Sequence, residues 1–328
     1  MAKNKWKTLP GEALRVQEGF QLKDFDPGAT PGWTAGKAAA QKFQDGRHRL
    51  LSELQERYFA CSKMGDDRRI LLVVQGLDTA GKGGISRHVM GMVDPQGVQL
   101  ASFGKPTEQE LSEHFLCRIE RQLPHFGKIG VFDRSHYEDV LVQRVRNIVP
   151  PEIWGGRYDI INDWERYLVQ DQHFTIVKLA LMVSHDEQAR RLAQRLDRRD
   201  KWWKYQPGDI DTRRDWDAYQ EAYQAVFTLT STPWAPWYVI PSDHKWYTRL
   251  VATELLTQAL ISLDQHWPEA QWDFATEKER LLSTCSPRIA KEISASLDGI
   301  DPQVKEETDE FRKAVNRALE GKSTESYC

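Results

Sequence analysis

Residues 70–87 read ILLVVQGLDTAGKGGISR, the segment of the chain that is most informative about its architecture. The apolar run 70–74 predicts a buried strand, and the glycine-rich turn after it leads into a helix. The spacing from Gly76 to Gly81 and Lys82 is that of the GxxxxGK phosphate loop. Glycines let backbone N–H groups wrap an anion, and the following helix N-terminus adds partial positive charge. A phosphate-binding loop is predicted; the alternative is a glycine-rich turn without a ligand.

The loop departs from the standard pattern at two positions. Gly83 stands where a Ser or Thr hydroxyl usually holds magnesium, and Asp78 adds a carboxylate inside the loop. A bare carboxylate repels phosphates, so we interpret Asp78 as a metal-directing ligand that replaces the missing hydroxyl. The alternative is an Asp that stabilises the turn through its own backbone. The residues predicted to bind phosphate or nucleotide here are Gly76, Thr79, Ala80, Gly81, Lys82 and Gly83.

Outward from the loop, strand-like and helix-like stretches alternate. Further strands are predicted at 98–103, 129–132, 175–183 and 237–240, with helices between them, one of them over 108–123. Short, nearly all-apolar strands separated by helices predict an α/β fold with a parallel sheet of about five strands. A last helix is predicted over 304–319.

A second acidic motif, KIGVFDRSHYED, occupies residues 128–139. Asp133 ends an apolar strand, which brings a carboxylate beside the phosphate loop of an adjacent strand. Arg134 is suited to a transferring phosphoryl group. We favour a structural role for His136 over a catalytic base, because phosphoryl transfer needs positioning and charge neutralisation more than proton removal. Glu138 is a candidate phosphate or nucleotide contact, with a solvent-facing helix start as the alternative.

A basic segment, QARRLAQRLDRRDKWWKYQPGD, occupies residues 188–209. In a phosphate-loop protein a closing lid is expected after the fourth strand, and arginine is well shaped for bridging phosphate oxygens. Basic residues with interleaved aromatics also fit single-stranded nucleic acid, which we rank below the lid. The residues predicted to bind through the lid are Arg191, Arg195, Arg198, Lys201 and Lys204.

Composition excludes several classes of protein. The chain has 328 residues, 40% hydrophobic and 28% charged, with a formal net charge of −3. This charge does not indicate a general polyanion-binding surface. Residues 190–215, however, contain nine Lys or Arg against five Asp or Glu, so one localised anion site is expected. Four dispersed cysteines exclude a disulfide scaffold or a cysteine-rich zinc site. The longest apolar runs are too short for a membrane span, and no secretory signal is visible, so a cytoplasmic protein is predicted.

Several long motifs in order make the sequence resemble the polyphosphate kinase 2 family. They are GLDTAGKGG, DPQGVQLASFGKPT, FDRSHYEDV, KWWKYQPGD and STPWAPWYVIPSDHKWYTRL. The resemblance runs from about residue 37 to residue 266. Arg198 and Arg199 depart from it, because an Asp-Pro often precedes the lid lysines in the family, and the two arginines make the lid more basic.

The resemblance implies a P-loop kinase-like, three-layer αβα fold with a helical lid. Together with the residues before and after the matched range, it predicts a chain of three parts. These are an irregular arm (1–36), a catalytic domain (37–266, lid about 190–215) and a helical tail (267–328). It implies phosphoryl transfer between inorganic polyphosphate and nucleoside mono- or diphosphates (AMP or ADP, and also GDP), with Mg²⁺ or Mn²⁺. Asp78 and Asp133 match its two acidic positions and are the predicted metal ligands; with Lys82 and Arg134 they are the predicted catalytic residues. A homo-oligomer, dimer or tetramer, is expected, without a nucleic-acid or membrane partner.

Two other functions stay open at this point. One is an ATP-dependent nucleoside monophosphate kinase of the thymidylate kinase kind, which also shows a D-R pair after a strand. The other is a non-catalytic module that binds nucleotide or polyphosphate. The presence of both carboxylates, the loop lysine and the basic lid argues against such a module.

Overall fold

A five-stranded parallel sheet organises the chain. The computed structural model describes residues 5–298, and its strands lie in the order β2-β3-β1-β4-β5. The strands are β1 (Arg69–Gln75), β2 (Val98–Ser102), β3 (Ile129–Asp133), β4 (Phe174–Met182) and β5 (Trp237–Pro241). All pairings between neighbours are parallel. This confirms the predicted α/β fold and each of the five strands.

Helices connect the strands and flank the sheet, and two more follow in the C-terminal part of the described chain. They are α1 (Pro10–Ala13), α2 (Lys37–Lys63), α3 (Lys82–His88), α4 (Glu108–Leu111), α5 (Cys117–Glu120), α6 (Glu138–Val145), α7 (Pro151–Gln170), α8 (His185–Asp197), α9 (Gly208–Arg214), α10 (Trp216–Thr230), α11 (Lys245–Ser262), α12 (Phe274–Ser283) and α13 (Pro287–Asp298). A 3₁₀ segment, Arg199–Lys204, joins α8 to α9.

The helix predicted over 108–123 is wrong, because the chain forms two short helices there. A capping box between Thr107 and Glu110 starts α4. The chain then turns, with Cys117 N–H donating to the His114 carbonyl (2.8 Å), before α5 begins. Leu116, between the two helices, is buried in the core. The helix predicted over 304–319 lies outside the described residues.

Strand β1 lies at the centre of the sheet, and its carboxyl end is where a ligand site is expected. Its residues 70–75 are all buried, as expected for a strand covered on both faces. Strand β3 pairs with one side of β1 and β4 with the other, so the chain reverses its direction of winding here. In open parallel sheets, ligands bind at the carboxyl ends of the strands at such a switch point. The phosphate loop follows β1 at this edge, and Asp133, which aligns with Val74, ends β3 beside it.

The described part of the N-terminal arm covers the free edge of β5. Val239 N–H donates to the Leu14 carbonyl (3.0 Å), and Val16 N–H donates to the Trp237 carbonyl (2.9 Å). A covered edge cannot template pairing with another chain.

By compactness, the described chain divides into one unit that reaches to Leu260 and another that begins at Ile261. The second unit contains α12 and α13, which contact each other. Among residues 5–298, no helix is both long and apolar enough to cross a membrane.

Candidate active site

The phosphate loop, residues 76–82, is a tight turn that depends on glycine. Gly76 has φ 154°, and a Cβ placed there would lie 2.7 Å from the Leu181 carbonyl oxygen. Gly81 has φ 122°, which L side chains rarely adopt. Thr79 takes a positive φ of 66° without being glycine. The loop therefore packs its backbone closely against the end of β4.

Two side chains of this loop, Lys82 and Thr79, indicate that the loop binds an anionic ligand. Lys82 crosses the loop, and its Nζ donates to the Gly76 carbonyl at 2.6 Å. Burial lowers the pKa of Lys82, and the charge of Asp78 acts in the opposite direction. The buried hydroxyl of Thr79 has no hydrogen-bond partner among the described residues. A cation and an unsatisfied hydroxyl inside a glycine-rich turn are the groups that phosphate oxygens can satisfy.

Arg134 joins the second motif to the phosphate loop. Its Nη2 donates to Asp78 Oδ1 at 3.2 Å, and its backbone has a positive φ of 65°. The charges of Asp78, Asp133 and Glu138 all act on both Lys82 and Arg134. The structure thus brings together the four residues predicted to be catalytic. The ion pair between Asp78 and Arg134 was not predicted.

The donor set fits a metal ion that is shared with a substrate. No group of three or more His, Cys, Asp or Glu side chains within residues 5–298 could hold a metal by itself. Mg²⁺ is usually held by one or two carboxylates together with substrate phosphates, rather than by an all-protein cage. Asp78 and Asp133 are two such carboxylates at the carboxyl ends of adjacent strands.

Glu138 begins α6 next to Arg134 and is half-buried. The Gln75 amide, oriented to satisfy both of its ends, donates to Glu138 Oε1 (3.0 Å) and accepts from Ser135 Oγ (3.1 Å). Burial raises the pKa of Glu138, and the positive charges of Arg134 and Lys82 oppose that rise. The structure places Glu138 among these protein groups and gives it no hydrogen bond within the phosphate loop.

Arg191 lies beneath the phosphate loop and not on the open face of the lid. It is 4% exposed, and its three guanidinium nitrogens all donate to protein oxygens. Its five acceptors are the carboxylate of Glu187 and the carbonyls of Thr79, Ala80, Ser242 and Asp243, at distances of 2.6 to 3.3 Å. Arg191 therefore ties the loop to the segment that precedes α11.

The remaining basic lid residues differ in how far neighbouring groups neutralise them. Arg195 Nη1 donates to Asp209 Oδ2 (3.1 Å), and Arg198 pairs with exposed Asp200 (2.8 Å). Lys201 lies 3.4 Å from Asp200. Lys204 has no carboxylate within ion-pair distance among the described residues; its Nζ lies 4.8 Å from the centroid of the Trp203 ring. Among these four residues, Lys204 is thus the cation most available to a ligand.

Four further residues of the site were missed from the sequence. Gln188 Nε2 donates to the Asp78 carbonyl at 3.3 Å, and Asp209 is a buried carboxylate whose pKa is raised by burial and by Asp78. Lys245 and Arg249 lie one helical turn apart on α11. The positive charges of Arg191 and Arg195 act on Lys245 and help to lower its pKa. Burial lowers the pKa of both Lys245 and Arg249. The i, i+4 spacing within KWYTR was the signal that could have identified this basic pair.

Comparisons with known proteins show what the chain as a whole is similar to. The family model described as polyphosphate kinase 2 (PPK2) matches residues 37–267. An AMP/ADP-polyphosphate phosphotransferase of Meiothermus ruber is 44% identical over 252 residues, which are 77% of this chain and 92% of the relative. An ADP-polyphosphate phosphotransferase of Rhodopseudomonas palustris is 38% identical over 231 residues, 67% of this chain and 78% of the relative. The crystal structure of polyphosphate kinase 2 from Arthrobacter aurescens TC1 superposes with a TM-score of 0.83 and 47% identity, covering 86% of this chain and 100% of that one.

Proposed function

This chain belongs to the polyphosphate kinase 2 family, and we propose that it transfers phosphoryl groups from inorganic polyphosphate to both AMP and ADP. The family resemblance seen in the motifs is confirmed, and the chain is a phosphotransferase between polyphosphate and nucleotides. That excludes the non-catalytic binding module. The observation that supports phosphoryl transfer is the convergence of the phosphate loop with Asp133 and Arg134 at one edge of the sheet. The choice of both acceptors is supported by the Meiothermus ruber relative, which is an AMP/ADP-polyphosphate phosphotransferase.

The chain's own groups can stabilise a loose, in-line phosphoryl transfer. The loop amides and Lys82 hold the phosphates, while Arg134 neutralises charge on the transferring group. Asp78 and Asp133 would hold Mg²⁺ or Mn²⁺, which would neutralise charge on the phosphate oxygens. Because Arg134 pairs with Asp78 here, we infer that the guanidinium shifts from this carboxylate to the phosphoryl oxygens when substrates bind.

The basic groups around the lid bind polyphosphate in this proposal. The cations we assign to the polyphosphate chain are Lys204, Lys201, Lys245 and Arg249, because Lys204 and Lys245 are exposed and Lys201 and Arg249 are partly exposed. Of these four, Lys201 also has a carboxylate nearby, Asp200 at 3.4 Å. Arg191 supports the site in another way: it holds the phosphate loop from below. Arg195 and Arg198 carry carboxylate partners, which polyphosphate oxygens would have to displace. The homo-oligomeric state, the cytoplasmic location and the boundaries of the three parts stay predictions.

A time course from AMP tests the acceptor assignment. AMP, Mg²⁺ and long-chain polyphosphate as sole donor are incubated with the protein, and nucleotides are resolved by chromatography; GDP forms a parallel arm. We expect ADP first and then ATP. ADP that accumulates without ATP would contradict the dual assignment. Product that forms only when ATP replaces polyphosphate would favour the thymidylate kinase-like alternative.

A further inference from the structure

A fully buried charged network lies behind the segment that carries Arg134. Glu165 of α7 and Lys178 of β4 are both 0% exposed. Lys178 Nζ donates to Glu165 Oε2 (2.6 Å), to Tyr137 Oη (2.8 Å) and to the Thr230 carbonyl (2.8 Å). These bonds use all three protons of the ammonium group. The proposed function assigns no step to any of these residues.

The network binds the side chains of His136 and Tyr137, which follow Arg134 and Ser135 in the chain. Glu165 Oε1 accepts from Tyr137 Oη (2.8 Å) and lies 3.1 Å from His136 Nε2. His136 and Tyr137 are both 0% exposed, which agrees with a structural role for His136. Removing charges from water is costly, and a buried ion pair is often no more stable than apolar residues of the same volume. Stability alone therefore gives little reason to place a Glu and a Lys at these positions.

Arg134 itself is held in a conformation that costs free energy. Its φ of 65° lies in the left-handed region, which is unfavourable for a non-glycine residue and persists only when the surroundings hold it. On one side, Arg134 N–H donates to the Val74 carbonyl (3.0 Å) of the sheet. On the other side, the side chains of His136 and Tyr137 are anchored by the network. The strained residue thus lies between two rigid attachments.

We propose that Glu165 and Lys178 are positioning residues for phosphoryl transfer, because they hold the backbone at Arg134 in the strained conformation that directs its guanidinium to the phosphate loop. This inference rests on the proposed function, in which Arg134 stabilises the transferring group. The two residues act from behind the sheet edge and touch no substrate.

A double-mutant cycle tests the proposal. The paired change Glu165→Gln with Lys178→Met removes both charges and nearly keeps the volume. We expect kcat to fall about tenfold while KM for nucleotide changes little, because Arg134 acts in the transition state. In an Arg134→Ala background, the same paired change should lower kcat less than about twofold, since the residue it positions is gone.

A second buried carboxylate supplies the matched control. Glu254 of α11 is buried and pairs with Arg47 at 2.8 Å, away from the Arg134 segment. Glu254→Gln should lower the melting temperature without lowering kcat, in either background. This separates positioning from a general effect of losing a buried charge.

The outcomes are decisive once folding has been checked by circular dichroism. If the paired variant does not fold, Glu165→Gln alone, which keeps an oxygen acceptor, enters the same cycle. An equal fractional loss of kcat in both backgrounds, or no loss in a folded variant, overturns the proposal. Absence of polyphosphate-dependent turnover in the unaltered protein would instead refute the proposed function, so the two failures are distinguishable.

Discussion

At the scale of single residues, the most informative contact joins Asp78 to Arg134. A carboxylate inside an anion-binding loop repels phosphates unless a cation neutralises it, and Arg134 supplies that charge at 3.2 Å. The same carboxylate is a proposed metal ligand, since Gly83 offers no hydroxyl. Asp78 can therefore pair with either of two cations, the guanidinium of Arg134 or a metal ion.

The substitution Asp78→Asn tests this double role. It keeps the size and turn-forming ability of the side chain but removes its charge. We expect the rate to fall on the order of 100- to 1,000-fold, as for the loss of one preorganised electrostatic contact, with the melting temperature little changed. The Mg²⁺ concentration for half-maximal rate should rise. Near-normal turnover at limiting Mg²⁺ would show that Asp78 only stabilises the turn.

Lys82 gives the site a dependence on pH. Burial lowers the pKa of Lys82 below that of ordinary lysine, so its charge is lost at a lower pH. Affinity for nucleotide should therefore weaken as pH rises toward the range in which an ordinary lysine titrates. Lys82→Arg keeps its charge across this range and should abolish the pH-dependent part of the change. Calorimetric titration of both proteins measures it; identical pH profiles would assign the effect to another group.

At the scale of elements, helix α8 has one face that supports the site and another that meets solvent. Arg191 is buried against the loop, whereas the neighbouring Arg190 side chain is 65% exposed. Both arginines pair with Glu187, so they are closely matched in charge and sequence position. Comparing substitutions of the two arginines therefore shows how much the buried contacts of Arg191 to the loop contribute to stability.

Replacing each arginine with methionine separates these roles. Arg191→Met removes one of the two arginine partners of Glu187 and the donor to four carbonyl groups. We therefore expect the free energy of unfolding to fall by about 3 kcal/mol. Arg190→Met should change it by less than about 0.5 kcal/mol. Denaturant titration measures both. A wild-type stability for Arg191→Met, with only the polyphosphate KM raised, would make Arg191 a polyphosphate ligand after all.

The strands and the loop could be predicted from the sequence because their signals are local. An apolar run such as 70–74 followed by glycines specifies a strand and a tight turn within a few residues. The inward orientation of Arg191 could not be predicted. Helical spacing with Arg195 shows that the two share a face, but its acceptors at Ser242 and Asp243 lie about fifty positions away along the chain. The ion pair of Asp78 with Arg134 likewise depends on which strands become neighbours.

At the scale of the whole molecule, a chain with net charge −3 has to bind a linear polyanion. Local basic groups around the lid must therefore supply the attraction, and salt should screen it. Counterion release lowers log K by roughly 0.7 per phosphate contact for each unit of log salt on a single strand. Lys204→Ala should flatten that slope by about this amount for polyphosphate. Lys63 ends α2 next to Ser62, which contacts Gly127 just before β3, so it lies at the opposite end of the strands from the phosphate loop. Lys63→Ala should leave the slope unchanged; equal slopes for all three proteins would contradict the assignment of Lys204.

In the proposed function, Arg134 lies beside the phosphate loop and stabilises phosphoryl transfer from polyphosphate to a nucleotide. The measurement that tests it most directly is ATP formation from ADP, Mg²⁺ and long-chain polyphosphate without any other donor, followed by chromatography for the unaltered protein and for folded Arg134→Ala. We predict sustained ATP formation by the former and a loss on the order of 100-fold or more in the latter. No ATP from the folded, unaltered protein, or an undiminished rate in Arg134→Ala, would contradict the account.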